Sequence, residues 1–310
     1  MPKFHWFYRN NNVEILQNTR QLLKNGFSSF RLKIGLDSRH FFMMQGGMNM
    51  LKFFWKDSSE IPEELITRNF SLVHMMWFVA LAIIVLVFLG LYKRQSEKTR
   101  DIIKKILAVV LVLCEVSVWI WKIIIGQYYL RYSLPLHLCG ISVFIEFFAV
   151  FIKKSVTIKE FAYALSMPGA LAALLTPDWR YPFFTFQYLE LLLYHVILVL
   201  IPVLFVWGDG FKPDYKRLLK VSGLFILFIA LAVTANRLFG GNYMFLASAP
   251  AGTTLELFVR WFGERGYLYP EFVLLLLVWT ALYLPRIISG HQKRQLAAIT
   301  ADKEADHISK

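Results

Sequence analysis

From Leu72 onward, stretches of about 18–22 mostly apolar residues recur, long enough to cross ~30 Å of hydrocarbon at the helical rise per residue. They fall at roughly 72–92, 104–125, 134–152, 157–175, 184–207, 218–238 and 268–288. The pattern predicts an all-α fold, a polytopic membrane bundle of seven transmembrane helices. Pro135 is expected in the first turn of the third helix, where its missing N–H costs nothing. In the fourth, Pro168-Gly169 interrupts the run, and backbone freed there is tolerated only facing protein or a wet cavity. The domain plan is therefore a basic 1–47 extension, a 48–71 lead-in, a 72–289 membrane domain and a polar 290–310 tail expected to be disordered. No internal repeat is visible.

Basic residues then orient the bundle. Lys93, Arg94, Lys98, Arg100, Lys104 and Lys105 lie between or open the first two spans. Lys153, Lys154 and Lys159 follow the third, Lys212, Lys216, Arg217 and Lys220 the fifth, and Arg286, Lys293 and Arg294 the seventh. The other side carries only Lys122, Arg131, Arg180, Arg237, Arg260 and Arg265. The positive-inside rule places the N-terminus out and the C-terminus in, at a cell membrane, most simply a bacterial plasma membrane. Trp119, Trp121, Tyr128, Tyr129, Tyr132, Trp179, Tyr181, Trp261, Tyr267 and Tyr269 gather at the predicted outer ends, as an interfacial belt would.

Composition agrees with a membrane solvent. Of 310 residues, 57% are hydrophobic and only 18% charged, which excludes both an ordinary soluble domain and a disordered chain. The net charge of +13 sits largely in the gaps between apolar runs, so it speaks for membrane orientation and against a nucleic-acid partner. The only two cysteines, Cys114 and Cys139, lie inside apolar runs, and no metal-binding spacing or cofactor motif is present. Residues 1–47 carry seven Lys/Arg against Glu14 and Asp37 and no long apolar run, so they do not read as a signal peptide. They read either as a basic arm or as an artefact of gene calling, with translation starting at Met48 or Met50. Gln45-Gly46-Gly47 is encodable by a purine-rich, ribosome-binding-like stretch, and a basic arm conflicts with an outside N-terminus.

Ionisable groups within spans are costly and are the default functional candidates. They are His74, Glu115, His137, Glu146, Glu190 and His195, with Cys139 as candidate nucleophile. The constellation favours the predicted outer half, suggesting a cavity that opens outward. His137 and Cys139 are two residues apart, which on a helix separates them, so a base for the thiol must come from elsewhere, with His195 the natural choice. Against this stand plainer readings: cysteines that only pack, histidines that only bond between helices, and glutamates that only pair with one another. In the long 239–268 loop, Thr253-Thr254 is expected to cap a short interfacial helix through Trp261. Asn242 and Arg237 are candidate substrate contacts there, and Arg237, Arg260 and Arg265 suit a lipid phosphate or merely the headgroup layer.

Leu134-Pro135-Leu136-His137-Leu138-Cys139, Pro168, Leu175-Thr176-Pro177, His195, Asn242-Tyr243-Met244 and Pro250 occur in one order across about residues 70–285. In this the chain resembles the YwaF family of bacterial integral membrane proteins, related to vertebrate transmembrane protein 164. The resemblance implies acyl transfer onto a lysophospholipid by a cysteine and a histidine, which fall here on Cys139 and His195. The expected function is thus a membrane-lipid acyltransferase or acyl hydrolase, with His137 or Asn242 stabilising the oxyanion and membrane lipids as partners. The alternative is a non-enzymatic transporter or sensor for a small hydrophobic ligand.

Overall fold

A computed structural model of the chain describes residues 51–308, apart from Arg68, Lys153, 178–180, 251–252, Thr254 and Arg265; the 1–47 extension lies outside them. Residues 51–53 form a single 3-10 turn in a first unit, 1–53, and everything from Phe54 onward belongs to a second. The helices of the second unit are α1 (Leu72–Lys93), α2 (Glu97–Ile124), α3 (Leu138–Phe151), α4 (Val156–Phe161), α5 (Met167–Leu175), α6 (Phe186–Val203), α7 (Leu218–Phe239), α8 (Leu255–Phe262) and α9 (Leu268–Ile308). Among the described residues no strand occurs, so the fold is all-α as expected.

The ends are set by local chemistry. The side chains of Ser71, Ser96 and Thr185 accept from the N–H groups of His74, Thr99 and Tyr188, capping α1, α2 and α6. Gly240, at φ 63°, closes α7 in the left-handed conformation that costs other residues energy. Most of α6 is buried, against α2, α3 and α5, so it forms the centre of the bundle. Large apolar side chains of α1, α7 and α9, among them Met76, Ile83, Ile226, Leu231, Leu274 and Leu277, face outward. Such a surface is stable against lipid and not against water.

Six helical stretches are long and apolar enough to cross a membrane, α4–α5 counting as one and α6 including the turn after it. The third predicted run departs from expectation. Its helix covers only Leu138–Phe151, 14 residues, or about 21 Å. Pro135 precedes it rather than opening it, because Gly140 packs directly on Pro135: a Cβ there would lie 2.9 Å from the Pro135 Cα. Residues 134–137 fold back over the start of α3 and are thereby unavailable to continue it.

The break expected at Pro168-Gly169 also moves. The helix runs on from Val156 to Leu175, and the irregularity is a π-helical turn, Ala162–Ser166, just before the proline. Pro168 has no N–H for the carbonyl of Ala164, four residues earlier. The Trp279 indole of α9 supplies the missing donor at 2.9 Å. Pro285 disturbs α9 in the same way, and the Tyr163 hydroxyl donates to the nearby Leu282 carbonyl at 3.2 Å. The Trp279 indole thus compensates Pro168, while the Tyr163 hydroxyl reaches back to the stretch of α9 just before Pro285. The polar tail, expected to be disordered, continues α9 as helix through Ile308, in keeping with its Ala, Gln, Lys and Arg residues.

At the end bearing the basic loops, Glu160 is completely buried and saturated with donors. Its carboxylate accepts from the Asp214 N–H at 3.1 Å, Arg217 at 2.8 Å and the Tyr283 hydroxyl at 2.5 Å. One side chain thus ties α4, the loop before α7 and α9. At the other end the lead-in packs on the bundle. The Phe54 carbonyl accepts the Phe186 N–H at 2.9 Å, the Trp55 carbonyl accepts the Trp121 indole at 3.1 Å, and Ile61 is buried. Burial against this lead-in, with the Asp57 charge nearby, pushes the Tyr181 hydroxyl up to about 12. Removing the Glu160 carboxylate leaves a guanidinium and a hydroxyl without their acceptor. Glu160→Ala is therefore expected to cost about 3 kcal/mol, and Glu160→Gln less, in thermal unfolding of the detergent-solubilised protein. Equal melting temperatures for Glu160→Ala and the parent chain would contradict this role.

Candidate active site

The start of α3 is sunk between its neighbours. Leu138 seats against Gly169, whose added Cβ would lie 2.9 Å from the leucine Cδ2, six residues short of the end of α5. Cys139 is an electrostatic neighbour of Tyr194, eight residues inside α6. By the helical rise these offsets place the first turn of α3 about 9–12 Å below the ends of the flanking helices. The chain reaches that depth through non-helical residues 133–137, so its backbone groups need partners from outside the segment.

Tyr243 provides them. Completely buried, it receives the Leu134 N–H on its hydroxyl at 2.9 Å and donates that hydroxyl to the Leu130 carbonyl. Its own backbone is held by one side chain: the Asn236 Oδ1 accepts its N–H at 2.6 Å and the Asn236 Nδ2 donates to its carbonyl at 3.1 Å. Gly241 lets this loop close over the Arg131 carbonyl, which a Cβ would approach to 2.4 Å. Met244 and Phe245 follow in the left-handed region, at φ 54° and 53°, which is strained for side chains of this kind. The strain is held by the Tyr267 hydroxyl on the Phe245 carbonyl and by the Met244 N–H, which donates to the His137 Nδ1 at 3.3 Å. The His137 ring lies among Tyr243 and Phe245, with centroids at 5.4 and 5.2 Å. Because Nδ1 accepts, the neutral ring carries its proton on Nε2.

Cys139 is the second residue of α3 and is half-buried. The intrahelical ladder begins with the Ile141 N–H donating to the His137 carbonyl, and His137 makes no side-chain cap. The N–H groups of the first turn thus point out of the recessed end. Close by, Tyr194 hydrogen-bonds Glu115, which also interacts with Trp119, and Lys122 and Glu190 complete a polar cluster inside the apolar bundle. Cys114 is buried beside Glu115 and Glu190 and packs in the main apolar core. His195 is buried next to Tyr194, and its Nδ1 lies 2.8 Å from the Leu191 carbonyl. A carbonyl can only accept, so Nδ1 carries the proton and Nε2 is the basic nitrogen.

The remaining sequence candidates divide. His74 is engaged at both nitrogens, accepting the Phe70 N–H at 2.9 Å and meeting the Leu174 carbonyl at 2.8 Å, so it clips α1 to the end of α5. The Asn242 amide turns into its own loop, donating to the Ser248 carbonyl and accepting from the Ala247 and Ser248 N–H groups. Arg237 is exposed at the end of α7, and Arg265 lies outside the described residues. Glu146 is fully enclosed on α3, two turns past Cys139, with no hydrogen-bond partner on either oxygen. A cavity of about 480 Å³ opens not over Cys139 but at the opposite end of the bundle. Tyr194 and Asn236, both polar residues within apolar runs, owe their place in the site to tertiary packing and carry no motif in the sequence.

Taken together, the structure describes a polytopic α-helical membrane protein with a thiol at a recessed helix start beside a buried polar cluster. Comparison with protein families makes this specific. The chain belongs to the TMEM164 family, whose sequence model matches residues 69–283, from the turn before α1 to the Glu160-bound Tyr283. The resemblance to YwaF proteins is compatible with that membership. No curated protein and no solved structure matches the chain.

The fold-back makes a contrast between two glycines. A Cβ on Gly140 meets the Pro135 backbone, which cannot yield, whereas one on Gly169 meets the tip of the Leu138 side chain. Gly140→Ala is expected to destabilise by about 1–3 kcal/mol and Gly169→Ala by clearly less, read as melting temperatures in detergent. Equal shifts would count against the fold-back.

Proposed function

We propose that the chain transfers acyl groups on membrane lipids, with Cys139 as nucleophile and His195 as its base. The observation that carries this reading is the position of Cys139 in the first turn of a helix that begins inside the bundle. The N–H groups of that turn are preorganised donors for an oxyanion, and a half-buried thiol there is reachable from the lipid phase. His195 suits the part of base because its Nδ1 proton is committed to Leu191, leaving Nε2 to take a proton. Membership of the TMEM164 family supports the same reading.

In the proposed reaction the Cys139 S–H proton passes to the His195 Nε2 and the sulfur attacks an ester carbonyl of the lipid. The carbonyl π bond opens to an oxyanion held by the N–H groups of the α3 start and the His137 Nε2–H. The oxyanion then collapses, the ester C–O bond breaks, and the leaving lysolipid oxygen takes the proton back from His195. The thioester that remains is resolved by a lysophospholipid hydroxyl or by water, with His195 acting again as base and Cys139 released as thiol. Arg237, exposed at the same end, would meet the lipid phosphate in this reading. The orientation that goes with this reading sets the Cys139 end on the outer face and the basic loops inside.

Transfer of a labelled acyl chain from phospholipid to lysophospholipid by the purified protein is expected to fall at least about 100-fold in Cys139→Ala and in His195→Ala. Folding would be checked by an unchanged melting temperature. Full transfer by Cys139→Ala removes the nucleophile, and absence of transfer and hydrolysis in the parent chain favours a binding protein. Maleimide labelling of a cysteine placed at Gln127 in intact cells tests the orientation. Labelling by a membrane-impermeant reagent is expected, and its absence would invert the topology.

A further inference from the structure

Glu146 takes no part in the proposed reaction or in the Glu160 junction. It is wholly enclosed on α3, and neither of its carboxyl oxygens has a hydrogen-bond partner. No charged side chain acts on it. The ionisable groups of the elements packed on α3 are engaged elsewhere. On α2, Arg100 and Lys104 pair with Asp209, Lys105 pairs with Asp101, and Glu115 bonds Tyr194 near Lys122. On α4, Glu160 holds Arg217 and Lys159 stands over the Phe205 ring, while Tyr163 of the π-helical turn donates to the Leu282 carbonyl. Glu190, Tyr194 and His195 of α6 belong with the cluster near Cys139, and α5 carries no ionisable residue.

An ion in such a place bears the whole cost of its lost hydration, and a carboxylic acid avoids that cost by keeping its proton. The acid's O–H still needs an acceptor, and the π-helical turn packed on α3 holds two. Ser166 is buried there with its hydroxyl unpartnered. The Met167 N–H donates to the Ala162 carbonyl and Pro168 has no N–H, so no helical donor is left for the Tyr163 carbonyl. Counted from the contact between Leu138 and Gly169, Ser166 stands one turn and Glu146 two turns toward the basic end. Side chains lean toward the N-terminus of their own helix, and α3 runs antiparallel to the helix that holds Ser166, so the two residues lean toward one another.

We propose that Glu146 is an internal proton-binding site: its carboxylic acid form belongs to the closed bundle, and the proton leaves to water only when α3 parts from the π-helical turn. Ser166 and the Tyr163 carbonyl are the acceptors inside the junction. A π-helical turn is a local break in the helical ladder, and so the natural place for such a movement. A proton needs no cavity, which sets it apart from any larger cation in a site this closed. Glu146 lies about 10 Å along α3 from Cys139, and the proposal does not rest on the acyl-transfer reading.

The test uses the full chain, purified in detergent, with its carboxyl vibrations read by infrared spectroscopy at about pH 8, above the ordinary glutamate range. A carboxylic-acid carbonyl band is expected that disappears in Glu146→Gln and is retained in Cys139→Ala, whatever that variant does to acyl transfer. Linkage gives a second reading. The folded chain holds a proton that an unfolded glutamate has lost, so raising the pH favours unfolding, by up to about tenfold in the equilibrium per pH unit through this one group. The melting temperature of the parent chain is therefore expected to fall more steeply from about pH 6 to about pH 8 than that of Glu146→Gln. Glu146→Met serves as the second neutral variant should Glu146→Gln fail to fold. If no acid band is lost in a folded neutral variant, or if its melting temperature falls as steeply as the parent's, the proposal is overturned.

Discussion

A peptide group that leaves helical pairing at membrane depth must find another partner, because lipid offers none. Several irregular parts of this bundle follow that constraint, with a side chain from a distant segment providing the partner. Trp279 serves the carbonyl orphaned by Pro168, and Tyr163 the region loosened by Pro285. Tyr243 serves both sides of the Leu130–Leu134 turn, and the Tyr267 hydroxyl the carbonyl of a left-handed phenylalanine. Even where α5 ends, the Leu174 carbonyl meets His74 and the Pro177 carbonyl accepts from Asn69. Aromatic residues with one polar atom suit this work: the ring packs as core and only the tip is polar.

These contacts decide where chemistry is possible. A recessed helix start is unstable unless the extended approach to it is satisfied, and Tyr243 with Asn236 makes that approach rigid. The left-handed Met244-Phe245 pair is one cost of the arrangement, and His137 is bound into it through the Met244 N–H. The first turn of α3 is consequently held in one place between α2, α5 and α6. Catalysis by fixed dipoles needs such preorganisation, since donors that must first move lose their advantage.

Much of the fold was legible because apolar length is a coarse signal that survives local irregularity. All seven apolar runs correspond to helix, six of them long enough to span, and the short helix after Thr253 lies where its apolar spacing places it. The third run misled because apolarity does not distinguish helix from a fold-back; that depends on Gly140 meeting Pro135, a contact with no periodicity. Pro168 misled because a proline's effect is set by its compensation, here an indole 111 residues later in the chain. Within the site, Cys139, His137 and His195 were visible as costly residues in apolar surroundings. Their neighbours were not, since the partners of Tyr194 and Tyr243 are fixed only by tertiary packing. Glu160 escaped notice by sitting beside Lys159 at a helix start, where a charge pair reads as solvated surface although its carboxylate is wholly buried.

The two ends of the bundle handle polarity by different means, and the difference follows from depth. Near the basic loops, full charges are kept and balanced: Glu160 with Arg217, Asp209 with Lys104 and Arg100. Water and headgroups at that level limit the cost of imperfect pairing. In the proposed reaction the groups that would act at Cys139 are mostly neutral, namely the backbone N–H groups of the α3 start and imidazoles with fixed tautomers. A permanent cation placed there would bring its own desolvation penalty before any substrate arrived. A helix start brings partial positive charge into the apolar interior without that penalty, since its peptide dipoles are already ordered by the helix behind them. The shortness of α3 is therefore the feature that lets a bundle of ordinary spans hold a polar helix start, the proposed reaction centre, below its surface.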